Sequence, residues 1–259
     1  MLNYVKSEFY RVLHDKGVYY FTALLAILAF LLNGVLYWFG KMDGPSFPYN
    51  TTSFSYSNLV GNPMIFCVMG AVVGIILYEG SIKNGNLKNT IAFGISRAKV
   101  FIGECIVASV TAVVSSIVVL GVYIISAIML LEHTGPVSLN DLLTEIPAVF
   151  LLAVASLVSG IICIEAFKKV SVGIMVWFAI WFIIPRIFFY IGLRVDVIYD
   201  IAMWMPDNFF GSSGMSVNMS QSITAWGTAR GMAKCIIAGM IGIVVFYFSG
   251  IVLLRKREL

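Results

Sequence analysis

Long apolar runs, separated by short polar segments, set the pattern of this chain. Six of them, at residues 18–39, 59–78, 100–131, 146–167, 170–192 and 232–254, are nearly free of charge. At about 1.5 Å per residue, a helix of about 20 residues crosses a hydrocarbon layer of about 30 Å. Each run therefore predicts a transmembrane helix. The two-residue alternation of a membrane barrel is absent, and a helix satisfies its backbone hydrogen bonds within one segment. The expected fold is all-α and polytopic, with residues 1–259 forming one transmembrane domain. The run at 100–131 exceeds what a bilayer needs, so it tilts or projects. Tyr19, Tyr20 and Phe21 at one end of the first run, and Tyr37, Trp38 and Phe39 at the other, suit the two membrane interfaces.

The segments between the runs carry their own patterns. In residues 1–16, Leu2, Val5, Phe9, Val12 and Leu13 fall on one helical stripe, while Lys6, Arg11, His14 and Lys16 lie elsewhere. This predicts a short amphipathic helix lying in the membrane interface, the alternative being a frayed, solvated cytoplasmic tail. Residues 40–58, with Pro45, Pro48 and a polar stretch at 50–57, read as a loop. The pair Lys168–Lys169 leaves only a tight hinge between spans 4 and 5, which makes those spans antiparallel neighbours. A long connection, 193–231, precedes the last span.

Composition and charge sharpen this picture. Hydrophobic residues make up 60% of the chain and charged residues 12%, half the usual share of a soluble domain. The net charge of +4 forms no continuous basic face interleaved with aromatics, so nucleic acid is not an expected partner. The basic residues sort by side instead. Lys6, Arg11, Lys16, Lys83, Lys88, Arg97, Lys99, Lys168, Lys169, Arg255, Lys256 and Arg257 share one side of a six-span chain. Only Lys41, Arg186, Arg194, Arg230 and Lys234 fall on the other side or within spans. The positive-inside rule then places both termini in the cytoplasm. The first apolar run follows a charged segment and is a full span, so no cleavable signal peptide is expected.

Candidate chemistry is sparse. His14 and His133 lie in polar segments, and no HExxH pair or nucleophile–histidine pairing occurs, so no catalytic residue is predicted. Cys67, Cys105, Cys163 and Cys235 stand in apolar runs without CxxC spacing and read as small hydrophobes, not metal ligands. No phosphate-binding GxxxxGK[ST] loop is present, so ATP hydrolysis would have to come from a separate subunit. Ion-coupled carriers place ionisable groups in mid-span. Here Glu79, Glu104 and Glu165 are expected at the cytoplasmic ends of spans 2, 3 and 4, within reach of water. Arg186, after Pro185, is the one intramembrane charge that stands out; it either snorkels or pairs as a structural group, or contacts substrate.

The loop between spans 2 and 3 is basic and glycine-punctuated, yet Leu87, Ile91 and Phe93 give it an apolar edge. It fits either a short docking helix or a loop that only fixes topology. Glu79 closes span 2, Gly85-Asn86-Leu87-Lys88-Asn89-Thr90 follows, and Gly94-Ile95-Ser96-Arg97 enters span 3. With six spans, an N-terminal amphipathic helix and a long span 5–6 connection, this pattern resembles the permease subunits of type-2 ABC transporters across the whole chain. The similarity is greatest to compact bacterial exporters of bacitracin, lantibiotics and phenol-soluble modulins. Glu104 departs from the pattern, since many relatives carry Lys there.

The resemblance implies a bacterial cytoplasmic-membrane location and a pathway built from two permease copies, a homodimer or a pair with a paralogue. It also implies two copies of a cytosolic ATPase that bind ATP and Mg, with no cofactor on this chain. The segment containing Glu79, Lys83, Leu87, Lys88, Asn89, Thr90, Ile91, Phe93, Ser96 and Arg97 would be the coupling helix, with the N-terminal helix as a second contact. The cargo would be an amphipathic peptide. In the 193–231 connection, Asp196, Asp200 and Asp207 fall close together on a helical projection opposite Val197, Ile198, Ile201 and Met205, with Pro206 expected to end that helix. This reads either as an outer gate whose carboxylates help release a cationic peptide, or as an amphipathic surface loop. The alternatives to the exporter are a carrier independent of ATP and a non-transporting scaffold or sensor subunit.

Overall fold

The computed structural model describes residues 2–44, 47–83, 90, 94–167, 169–213, 215–218 and 221–255. Among them are ten helices: α1 (Leu2–Val12), α2 (Lys16–Asp43), α3 (Thr52–Val60), α4 (Met64–Lys83), α5 (Arg97–Leu130), α6 (Leu139–Phe167), α7 (Val170–Gly192), α8 (Asp196–Ala202), α9 (Pro206–Ser213) and α10 (Ala229–Arg255). One antiparallel hairpin, β1 (Met215–Asn218) and β2 (Gln221–Thr224), precedes α10. Helices α2, α4, α5, α6, α7 and α10 are long and apolar enough to span a bilayer. The protein is a polytopic, all-helical membrane protein. Its α1 side is called here the N-terminal face; α3, α8, α9 and the hairpin occupy the distal face.

Burial separates the spans into a centre and a ring. Within α4 and α6, 61% of the apolar window is buried, against 22% in α5 and α7 and 11% in α2 and α10. Small residues explain how the centre closes. A Cβ added to Gly70 would stand 2.8 Å from the Ala153 carbonyl oxygen, and one added to Gly74 would stand 2.9 Å from the Leu157 side chain. Gly70 and Gly74, one turn apart on α4, let the two backbones approach as small-xxx-small pairs do in membranes. On the other flank of α6, Gly239 faces Leu151, Gly242 faces Ala155 and Gly250 faces Ile162. Numbers rise together along both contacts, so α4, α6 and α10 run in the same direction. Helix α7 returns antiparallel after the two-residue hinge, with Gly173 against Ile164.

Polar contacts lock this centre. Ser156 Oγ donates to the Cys67 carbonyl (2.8 Å), Trp177 Nε1 to the Ser156 carbonyl (3.2 Å) and Trp181 Nε1 to Ser159 Oγ (2.9 Å). Helix α7 carries a π turn at Ala179–Ile183 just ahead of Pro185, which has no N–H to offer the preceding turn.

Several element boundaries differ from the sequence reading. The stretch 50–57, expected as a loop, opens helix α3; Thr51 Oγ1 caps it by accepting from the Phe54 N–H (3.2 Å). Span 2 was expected to start at residue 59, but Pro63 separates α3 from α4, which starts at Met64. Pro206, expected to end a helix, instead begins α9, because proline is tolerated where the first-turn N–H groups lack partners. The helix at 2–12 buries Tyr4, Glu8 and Val12, while Leu13 is exposed; its inward face is therefore rotated from the expected apolar stripe.

Candidate functional site

Ionisable side chains concentrate where α1 docks on the spans. Gly103 of α5 makes the docking possible, because a Cβ there would stand 2.7 Å from the Tyr4 ring. Glu8 is thereby buried and pairs with Arg11 at 2.7 Å. Arg11 also reaches Asp15 (3.9 Å) and donates to the Leu77 carbonyl at the end of α4 (3.5 Å). Asp15 in turn caps α2 by accepting from the Gly17 N–H (2.8 Å). One guanidinium thus ties α1, α2 and α4 together. Tyr78 donates to Glu165 of α6 at 2.5 Å. Burial, reinforced by the Glu104 and Glu8 carboxylates, pushes the Tyr4 phenol well above its usual range.

Glu104 corrects an expectation. The sequence reading put it in reach of water, yet only 5% of it is exposed, because α1 lies over it. It lines a small cavity with Glu8, Arg11, Leu77 and Tyr78, and its Oε2 has no hydrogen-bond partner among the described residues.

Of the residues singled out in the segment between spans 2 and 3, only some are described. Glu79 is half-buried near the end of α4, and Lys83 closes that helix. Thr90 is half-buried, Gly94 takes a positive φ of 84°, Ser96 occupies the N-cap position of α5, and Arg97 is its first residue. Leu87, Lys88, Asn89, Ile91 and Phe93, the centre of the expected coupling helix, lie outside the described residues.

On the distal face, the three carboxylates singled out from the sequence lie on two helices, Asp207 falling beyond the end of the first. Asp196 and Asp200 are exposed on α8, whereas Asp207 belongs to α9 and pairs with Arg186 at 3.2 Å. Their expected apolar counterparts are not a buried side either, since Val197 is 70% exposed. The intramembrane charge Arg186 therefore serves as an anchor for α9. Asn208 adds a second anchor, donating to the Pro185 and Ala202 carbonyls (2.7 and 3.0 Å). The hairpin is tied to α6 through Ser222 Oγ, which donates to Asp141 (2.7 Å).

Two polar features escaped the sequence reading. Asn33, fully buried in α2, donates to the Tyr123 carbonyl (3.0 Å) and Ser126 Oγ (2.8 Å) of α5 and accepts from Ser55 of α3 (2.7 Å). The second is Glu145 in α6, with no exposed surface and, among the described residues, no hydrogen-bond partner on either carboxylate oxygen. It stands one residue outside the expected span 146–167, which hid it. Its spacing from Leu142 and Val149, on the buried stripe of α6, was the available signal. Among the described residues, no three His, Cys, Asp or Glu side chains come together as metal ligands, and all four cysteines are buried and free.

No family model, curated protein or solved structure matches the chain.

Proposed function

We propose that this chain is the membrane subunit of an ATP-driven exporter of the ABC type, moving amphipathic peptides outward across a bacterial cytoplasmic membrane. The observation that supports this most is the polar junction at the N-terminal face. Arg11, paired with Glu8, joins α1 to Leu77 of α4, and both line a small cavity with Glu104 of α5. Force applied there by a cytosolic partner would reach the glycine-packed centre directly. The excess of Lys and Arg in the segments of this face supports placing it in the cytoplasm. In this reading two copies of the chain pair, two ATPase subunits bind beneath them, and ATP and Mg are held by the ATPases.

Purification of the tagged chain from native membranes under mild detergent tests the reading. The expected result is a near-stoichiometric ATPase that is lost when Lys88→Glu and Arg97→Glu are combined. A chain that purifies alone, without ATPase activity, overturns it.

The buried carboxylates Glu104 and Glu145 favour a second reading, an ion-coupled carrier, since charge within a span is retained chiefly for function. Uptake or efflux in proteoliposomes driven by an ion gradient, with no other protein added, would select it.

A further inference from the structure

A groove beside the docked α1 combines an apolar wall with a cationic edge. It holds about 460 Å³ between α1, α2 and α5, and its lining includes Phe9, Leu13, Tyr19, Ala23, Val110 and Val114. Leu13, Tyr19, Val110 and Val114 are exposed, so the groove opens sideways along two spanning helices, toward lipid. The hydroxyls on its wall are already engaged: Thr22 donates to Ser115 (2.9 Å) and Thr111 to the Val107 carbonyl (2.8 Å). A hydrocarbon chain suits such a wall. Near the α1–α2 corner, Tyr19 donates to the Leu13 carbonyl (3.1 Å) and joins the two helices.

The edge of the groove carries charge of one sign. At about 100° per residue, Lys6 falls within about 20° of Leu13 on α1, and Lys16 within about 20° of Ala23 on α2. Both lysines are exposed, and among the described residues neither has a carboxylate within ion-pair distance. The acids of this corner are committed elsewhere. Glu8 and Asp15 both pair with Arg11, and Asp15 also accepts from the Gly17 N–H. A compensated network thus faces α4, while two uncompensated ammonium groups flank the groove. Tyr19 and Tyr20, exposed one turn beyond Lys16, have the character of residues at headgroup depth. An occupant that fits must bring a hydrocarbon chain and a negative head to one end of it.

We propose that this groove binds one anionic phospholipid, with an acyl chain along Val110 and Val114 and its phosphate at Lys6 and Lys16. Because α1 forms one wall, the lipid would hold that helix from the bilayer side, as the Tyr4–Gly103 contact holds it from the bundle side. A cationic cargo has the wrong charge for this edge. The site concerns this chain alone and does not rest on the exporter reading.

The test titrates the full chain in mild detergent with palmitoyl-oleoyl phosphatidylglycerol, or with phosphatidylcholine of the same acyl chains. Native mass spectrometry counts the lipids held per chain. One phosphatidylglycerol should bind saturably, and phosphatidylcholine roughly tenfold or more weakly, the difference expected of two interfacial lysines. Lys6→Gln combined with Lys16→Gln should bring phosphatidylglycerol down to the level of phosphatidylcholine, with the fold intact because both side chains are exposed. Lys41→Gln combined with Arg194→Gln, the same change of charge on the distal face, should keep the wild-type preference. Ala23→Phe, which fills the groove, should weaken both lipids severalfold, with hydrogen exchange over α2 and α5 confirming a folded protein. Equal binding of the two lipids by the wild type overturns the proposal, and so does a preference that survives in the double lysine variant. A wild-type dimer that Ala23→Phe converts to a monomer, with phosphatidylglycerol binding unchanged, assigns the groove to a second copy and overturns it too.

Discussion

At the residue scale, single glycines and single polar atoms decide where helices meet. Gly103 admits the Tyr4 ring, and a larger side chain would have to displace it. Gly103→Leu should undock α1 at a cost of about 1–3 kcal/mol, typical of overpacking. The check is hydrogen exchange, which should accelerate over residues 2–12 while the amides of α6 stay protected. Asn33 presents the opposite case, a polar side chain that holds three helices in the apolar interior. Asn33→Leu should lower unfolding stability by about 1–3 kcal/mol, because the buried Ser55 hydroxyl loses the acceptor it faces. A thermal or denaturant titration in detergent that moved by less than the experimental error would refute that role.

At the element scale, the apolar runs made the spans legible because hydropathy alone constrains a segment that must cross lipid. The elements that differ owe their form to contacts remote in sequence. Helix α3 looks like a polar loop because its partners are elsewhere: Thr52 N–H donates to the Glu132 carbonyl (2.9 Å), and Ser53 Oγ accepts from the Val137 N–H (2.9 Å). Glu145 was hidden because the span was expected to start at residue 146 while the helix starts at Leu139, and Glu104 by its nearness to a span end. Burial of the latter depends on α1, whose inward face follows Tyr4, Glu8 and Val12 instead of the most apolar stripe. The Asp207–Arg186 pair was illegible for a simpler reason: Pro206 can stop one helix or start the next, and only the fold chooses. The anchor itself is testable. Asn208→Ala should speed exchange across 196–213 severalfold, with little change in the global melting temperature. Its two carbonyl acceptors, Pro185 after the π turn of α7 and Ala202 at the end of α8, lie outside the glycine-packed centre of α4, α6 and α10.

At the scale of the whole molecule, six crossings return the chain to the face it started from. His14 and His133 are both exposed, the first beside α1 and the second at the distal face. The four native cysteines are buried, so they should stay silent toward a membrane-impermeant thiol reagent. His14→Cys and His133→Cys, placed singly in sealed vesicles, should therefore be labelled from opposite sides. Labelling of both from one side would contradict a six-span path. With the excess of basic residues on the α1 side, His14→Cys should be the one shielded in right-side-out vesicles.

The shared direction of α4, α6 and α10 bears on how the protein is made. A chain synthesised from its N-terminus completes α6 well before α10, so the flank of α6 that receives Gly239, Gly242 and Gly250 waits for the final span. Until that span arrives, the half-made protein carries a narrow, backbone-exposing groove down its central helix. Any nascent chain stalled before residue 229 would leave that groove open to the bilayer, so the central helix gains its full packing only once α10 has been added.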